Sequence, residues 1–127
     1  MSKIAKEPLD TACDQLRAAL GDWWADSRRN WCSYCGIAMR VRGAKGKPTP
    51  PQKSTKDHVI PKKHNGSVVT IPACSACNQA KGDKSLQEFL LSGHFANTRR
   101  QKHRHKWSVK QLWMVASLAA LEQARTG

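Results

Sequence analysis

The sequence predicts a small α+β domain. Two short strands and a short helix are organised on a metal site, with longer helices at either end. Three observations predict it. Four of the five cysteines fall in two C-x-x-C pairs, Cys32/Cys35 and Cys74/Cys77. Between the pairs, two short extended stretches flank an Asn65-Gly66 turn signal. Apolar residues at helical spacing occupy both ends of the chain. At 127 residues this is a single domain over 1–127, with a core small enough that a metal is an expected reinforcement.

The elements follow in order. Leu9, Cys13, Leu16, Leu20 and Trp23 recur at helical spacing with Asp10, Asp14, Arg17 and Asp22 between them. The spacing predicts a helix over about 8–26, with Pro8 suited to its first turn and Cys13 a small buried hydrophobe. The string W-C-S-Y-C-G then forms a first metal knuckle. Residues 40–56 hold no acid and are rich in glycine, proline and lysine, which predicts an exposed loop. That loop is either an arm that contacts phosphates or a solvated insertion. Residues 55–60 resume an extended pattern, 61–66 turn, and the β-branched run Val68-Val69-Thr70-Ile71 predicts a second strand.

Cys74 to Asn78 opens a short helix to about Lys81, which Gly82 ends. The metal-bearing core is thus expected over about 31–92. Ser85-Leu86-Gln87-Glu88 and Ser108-Val109-Lys110-Gln111 are capping boxes. The second starts a helix over about 109–125, through Leu112, Trp113, Val115, Leu118 and Leu121, expected to pack on the N-terminal helix with its tryptophans in the core.

Charge narrows the partner. The formal net charge is +13, and residues 1–26 carry five of the nine acids against three basic residues, so the remainder is strongly basic. A polyanion, nucleic acid before a membrane surface, is the expected partner. The run 99–106, with Arg99, Arg100, Lys102, Arg104 and Lys106, is a candidate for phosphate contacts. No apolar run is long enough for a membrane span. The N-terminus lacks the pattern of a signal peptide, so a cytoplasmic location is expected.

Two C-x-x-C turns can each offer a pair of thiolates to a tetrahedral zinc ion. A redox dithiol would need one such pair, not two. Four sulfurs from Cys32, Cys35, Cys74 and Cys77 fill the coordination sphere, so this zinc is structural. Chemistry must come from elsewhere. Between Arg28 and Leu121 the carboxylates are Asp57, Asp83 and Glu88, and Asp57 adjoins His58 at the end of a predicted strand. Asn78 follows Cys77 directly, and Lys81 lies on the same face of its helix. Together these would supply oxygen ligands for a hard cation, an imidazole for proton transfer and a cation for phosphate.

The strings D-H-V-I-P (57–61) and C-S-A-C-N-Q-A-K-G-D (74–83) resemble the cysteine-containing HNH endonucleases of the ββα-metal fold, over about Cys32 to Phe89. The resemblance implies His58 as general base, Asp57 and Asn78 as ligands of the catalytic metal, and the four cysteines as zinc ligands. Oxygen donors imply Mg2+ or Mn2+ at the catalytic position. The resemblance implies hydrolysis of DNA; the basic segments predict that it is double-stranded DNA held largely through phosphates, with Lys81 a candidate phosphate contact. A non-catalytic zinc-stabilised nucleic-acid-binding module is the competing expectation. One residue departs from the family pattern: Val69 stands where an asparagine usually orients the base. Thr70, Asn65 or a backbone carbonyl is left for that task.

Overall fold

In a computed structural model, residues 3–39, 53–61, 69–100 and 105–126 are described. The loop over 40–52, the Asn65-Gly66 turn, Lys102 and Arg104 lie outside the described residues. Eight elements follow in order: α1 (Lys3–Leu20), a 3-10 turn (Ser27–Asn30), β1 (Ser54–His58), β2 (Thr70–Cys74), α2 (Ser75–Lys81), α3 (Leu86–Leu90), α4 (Gly93–Arg99) and α5 (Val109–Thr126). The architecture is α+β, as the sequence predicts. No described helix is long and apolar enough to cross a membrane.

The terminal helices pack against each other. Cys13, Leu20, Leu112, Val115, Leu118 and Ala119 are buried between and beneath them. At their outer end Arg17 pairs with the buried Glu122, which also pairs with Arg125, and Arg125 reaches Asp10 at 3.2 Å. The expected limits of α1 need correction. The helix extends back to Lys3, so Pro8 lies inside it, and it stops at Leu20 rather than near Asp26. Gly21 takes φ +74°, which ends the helix, and the Arg28 guanidinium donates to the Leu20 carbonyl at 2.7 Å. Trp23 and Trp24 are thereby released from the helix and turn toward the sheet.

The sheet is a two-stranded antiparallel hairpin in which Ser54 faces Cys74, Lys56 faces Pro72 and His58 faces Thr70. β2 starts two residues later than the β-branched run suggests and continues through Pro72. Each strand of a two-stranded sheet is an edge, so a proline is tolerated. The Pro72 carbonyl points away from β1 and accepts from the Ser33 backbone N–H (2.9 Å) and hydroxyl (2.5 Å). That docks the first knuckle on β2.

Both expected capping boxes form. Ser85 and Glu88 exchange side-chain to backbone bonds at the start of α3, and Ser108 and Gln111 do so before α5. Gly93 lies between the expected elements. It is the first residue of α4, behind Ser92, whose hydroxyl accepts from the Phe95 N–H. Tyr34 meets Phe89 and Phe95 edge to face, with Tyr34 and Phe89 centroids 4.8 Å apart. Trp107 is 1 % exposed, packed on Trp23 at 5.5 Å and beneath the Arg28 guanidinium at 5.1 Å. Trp113, expected in the core, is exposed instead, because α5 turns its Leu112, Val115 and Leu118 face inward.

Candidate functional site

The four cysteines converge. Cys32, Cys35, Cys74 and Cys77 are buried, and their sulfurs lie within 4.8 Å of one another. Cys35 Sγ and Cys74 Sγ are 3.9 Å apart. Four thiolates at about 2.3 Å from a tetrahedral zinc place sulfurs at roughly this separation, far beyond a disulfide bond. The thiols shift one another in opposite directions. Hydrogen bonds from Cys35 pull Cys32 toward thiolate, while hydrogen bonding with Cys32 pushes Cys77 up. Four thiolates this close would need a cation between them, and the donor set fits zinc.

Local geometry explains how each pair is presented. In the first knuckle Gly36, at φ +80°, donates to the Cys32 carbonyl, the Cys32 N–H donates to Ile37, and Trp31 bridges to Ala38. In the second, Cys74 ends β2 and is also the N-cap of α2, its sulfur accepting from the Cys77 N–H at 3.4 Å. One residue thus closes the strand, opens the helix and offers a ligand.

α2 carries Asn78 and Lys81 onto one face of β1. Asn78 Nδ2 donates to Thr55 Oγ1 at 3.0 Å, and Lys81 Nζ meets Asp57 Oδ1 at 3.2 Å. Thr55 and Asp57 alternate with Lys56 and His58, so the pleat directs His58 to the opposite side of the strand from α2. Asp57 is buried, and its second oxygen accepts from the Tyr34 hydroxyl. Burial pushes the Asp57 carboxyl up, against the pull of Lys81 and Tyr34. Burial, reinforced by the charge on Asp57, holds the Tyr34 hydroxyl well above its ordinary value, so it remains a donor. His58 is half-buried, and its imidazole has no hydrogen-bond partner among the described residues.

Several expected roles change. Lys81 is 1 % exposed, bound to Asp57 and to the His58 carbonyl at 3.1 Å, and does not reach a ligand in solvent. Its place at the foot of α2 puts its ammonium under the sheet rather than over it. Arg99 is also committed. It donates to the carbonyls of Ser33 (3.2 Å), Tyr34 (3.1 Å) and Trp107, tying α4 to the first knuckle and to the approach of α5. Arg100 and Lys106 stay exposed, and Lys106 Nζ lies 5.0 Å from the centroid of Trp31.

Val69 is buried and apolar, and cannot orient an imidazole through its side chain; its carbonyl accepts from Val59. Tyr34 escapes a reading by motif because its position between two cysteines draws attention to the sulfurs. The available signal is physical, since a tyrosine in a buried knuckle must find a partner for its hydroxyl in a region with few acids.

For a hard divalent cation, the fit is chemical but incomplete. Asn78 keeps its amide oxygen without a partner among the described residues, on the same side of β1 as Asp57. Asp57 has both oxygens engaged, and the Lys81 ammonium occupies the position beside it that a cation would take.

Comparison with known proteins gives a concordant result. Residues 32–84 match the family model described as HNH endonuclease. A curated relative from Bacillus subtilis (strain 168), named "SPbeta prophage-derived putative HNH endonuclease YoqL", is 36% identical over 70 residues, which cover 54% of this chain. The match spans 30% of that relative's length. No solved structure matches the chain.

Proposed function

We propose that this chain, whose residues 32–84 match the HNH endonuclease model, hydrolyses phosphodiester bonds in DNA with His58 as the general base. The observation that carries this is the state of His58. It ends β1 inside the matched segment, half-buried beside the buried Asp57, on the face of the strand that α2 does not cover. An imidazole titrates near neutral pH and suits proton abstraction there. In the proposed reaction His58 takes a proton from water. The hydroxide attacks the phosphorus in line, the bond to the 3′ oxygen breaks, and solvent protonates that oxygen, leaving a 5′ phosphate and a 3′ hydroxyl.

The residues around His58 have separate tasks. Lys81 holds the His58 carbonyl, so the backbone that carries the base is fixed from beneath. Tyr34 and Lys81 hold both oxygens of Asp57 in a buried position. A hard cation, Mg2+ or Mn2+, is part of the proposal; Asn78 would offer it an amide oxygen, and Asp57, whose Oδ1 is bound by Lys81 in this structure, would be the carboxylate beside it. Such an ion supplies charge neutralisation at the phosphate when bound. Zinc at the four cysteines is structural.

The test is nicking of supercoiled plasmid by the zinc-loaded chain in Mg2+, in Mn2+ and after brief EDTA treatment. Wild type is expected to nick with either ion. His58→Ala is expected to lose nicking while keeping its zinc and its hold on DNA. Cleavage by His58→Ala at the wild-type rate would overturn the assignment. The sealed state of Asp57 favours one second reading, a zinc-stabilised module that binds DNA without cutting it. That reading predicts a shifted DNA band and no nicking with either ion.

A further inference from the structure

Lys81 is buried against Asp57, and Arg99 is engaged by backbone carbonyls, so neither offers a free cation on the His58 face of β1. Such a cation stands on the strand itself. Lys56 and His58 are two residues apart in β1 and share the face that α2 does not cover. Lys56 is exposed, and its Nζ lies 5.5 Å from the centroid of the Trp24 ring. Trp24 is half-buried, and its indole N–H donates to the Thr70 carbonyl at 3.1 Å. Trp23 donates to the same carbonyl at 2.9 Å. Thr70 is the residue that faces His58 across the ladder. The indole that carries Lys56 is therefore fixed to the residue opposite the proposed base.

We propose that Lys56, seated on Trp24, is the phosphate-binding subsite for the strand presented to His58. This inference rests on the nuclease reading for the identity of that strand. Along a strand, residues two apart are separated by about 6.6–6.8 Å, so Lys56 and His58 address neighbouring phosphates of one nucleic-acid backbone. An exposed cation–π contact of about 0.5–1 kcal/mol is strong enough to bias the lysine toward this position and weak enough to release it to a phosphate. Trp24 is a positioning residue. It determines where the ammonium waits.

The experiment uses the zinc-loaded full chain, with anisotropy of a fluorescein-labelled DNA duplex measured across salt concentrations and steady-state nicking measured alongside. Lys56→Ala is expected to weaken binding several-fold. It should flatten the slope of log K against log salt by about one unit, the loss of one phosphate contact. It should raise KM more than it lowers kcat, and Lys56→Arg should restore most of the loss. Trp24→Phe keeps an aromatic face and is expected to retain more affinity than Trp24→Leu, with zinc content and circular dichroism reporting that each variant is folded. An unchanged salt slope and KM in Lys56→Ala would overturn the subsite. Equal losses in folded Trp24→Phe and Trp24→Leu would overturn the role of Trp24.

The two proposals fail separately. A wild-type chain that binds DNA and never nicks it, yet loses a unit of salt slope in Lys56→Ala, keeps the subsite and removes the nuclease reading. A chain that nicks through His58 but ignores Lys56→Ala does the reverse.

Discussion

Lys81 Nζ lies 3.2 Å from Asp57 Oδ1, and the two side chains are 1% and 4% exposed. A buried ion pair of this kind contributes little net stability compared with an apolar pair of the same shape, yet losing one partner strands the other charge. Lys81→Met is therefore expected to cost about 3–5 kcal/mol in chemical denaturation. Asp57→Asn in the same background should recover part of it, and the double-mutant cycle reads the coupling directly. Independent, additive losses would show that the pair does not act as a unit.

Arg99 and Arg100 adjoin in sequence and differ in task. Arg99 holds three carbonyls, so Arg99→Ala is expected to destabilise the chain by about 1–3 kcal/mol through unsatisfied backbone acceptors. It should leave the salt slope of DNA binding nearly unchanged. Arg100 is exposed, and Arg100→Ala should show the opposite pattern: little change in melting temperature and a shallower salt slope. The two variants, measured side by side by thermal melting and anisotropy, separate structural from electrostatic cations.

Glu122 gives a pH signature. The Arg17 side chain first, with Arg125 behind it, holds the Glu122 carboxyl below the usual carboxylate range despite its burial. A carboxyl depressed in the folded state stabilises the chain above its unfolded pKa of about 4.3 and loses that contribution as pH falls through the folded value. Glu122→Gln is expected to melt lower than wild type near neutral pH. The gap should close as the medium is acidified below about pH 4. A gap that stays constant with pH would assign the loss to packing instead.

Metal removal should be felt unevenly. Chelation of zinc, or Cys77→Ser, is expected to expose amides in residues 32–37 and in α2 to hydrogen exchange, while α1 and α5, packed on each other, retain protection. Uniform exchange across all elements would show that the terminal helices have no independent hold.

The sequence revealed most where the determinants are local. The zinc ligands follow from spacing, the capping boxes at Ser85 and Ser108 from residues three apart, and the resemblance from contiguous strings. Burial of charge was less legible. Lys81 and Arg99 look like the other basic residues of a basic chain, and what separates them is a partner distant in sequence: Asp57 for one, the carbonyls of Ser33, Tyr34 and Trp107 for the other. The end of α1 depends on Gly21 adopting a positive φ, although apolar spacing continues to Trp23. α4 was hidden because it opens on glycine, a poor helix former, although Ser92 just before it is a capping residue and supplies the start. The fate of the two C-terminal tryptophans turned on phase, since Trp107 precedes α5 and Trp113 lies on its outer face.

Cys74 has a consequence for the order in which the molecule comes together. A helix of seven residues has no standing of its own in water, and α2 begins on a sulfur that must also serve the metal. Nucleation of α2 and capture of the ion are then a single event. A newly synthesised chain that has paired its terminal helices but met no zinc lacks the helix that secures Asp57 and the His58 backbone. Where the four cysteines hold zinc, supply of the ion would act as an assembly checkpoint on the proposed cutting centre.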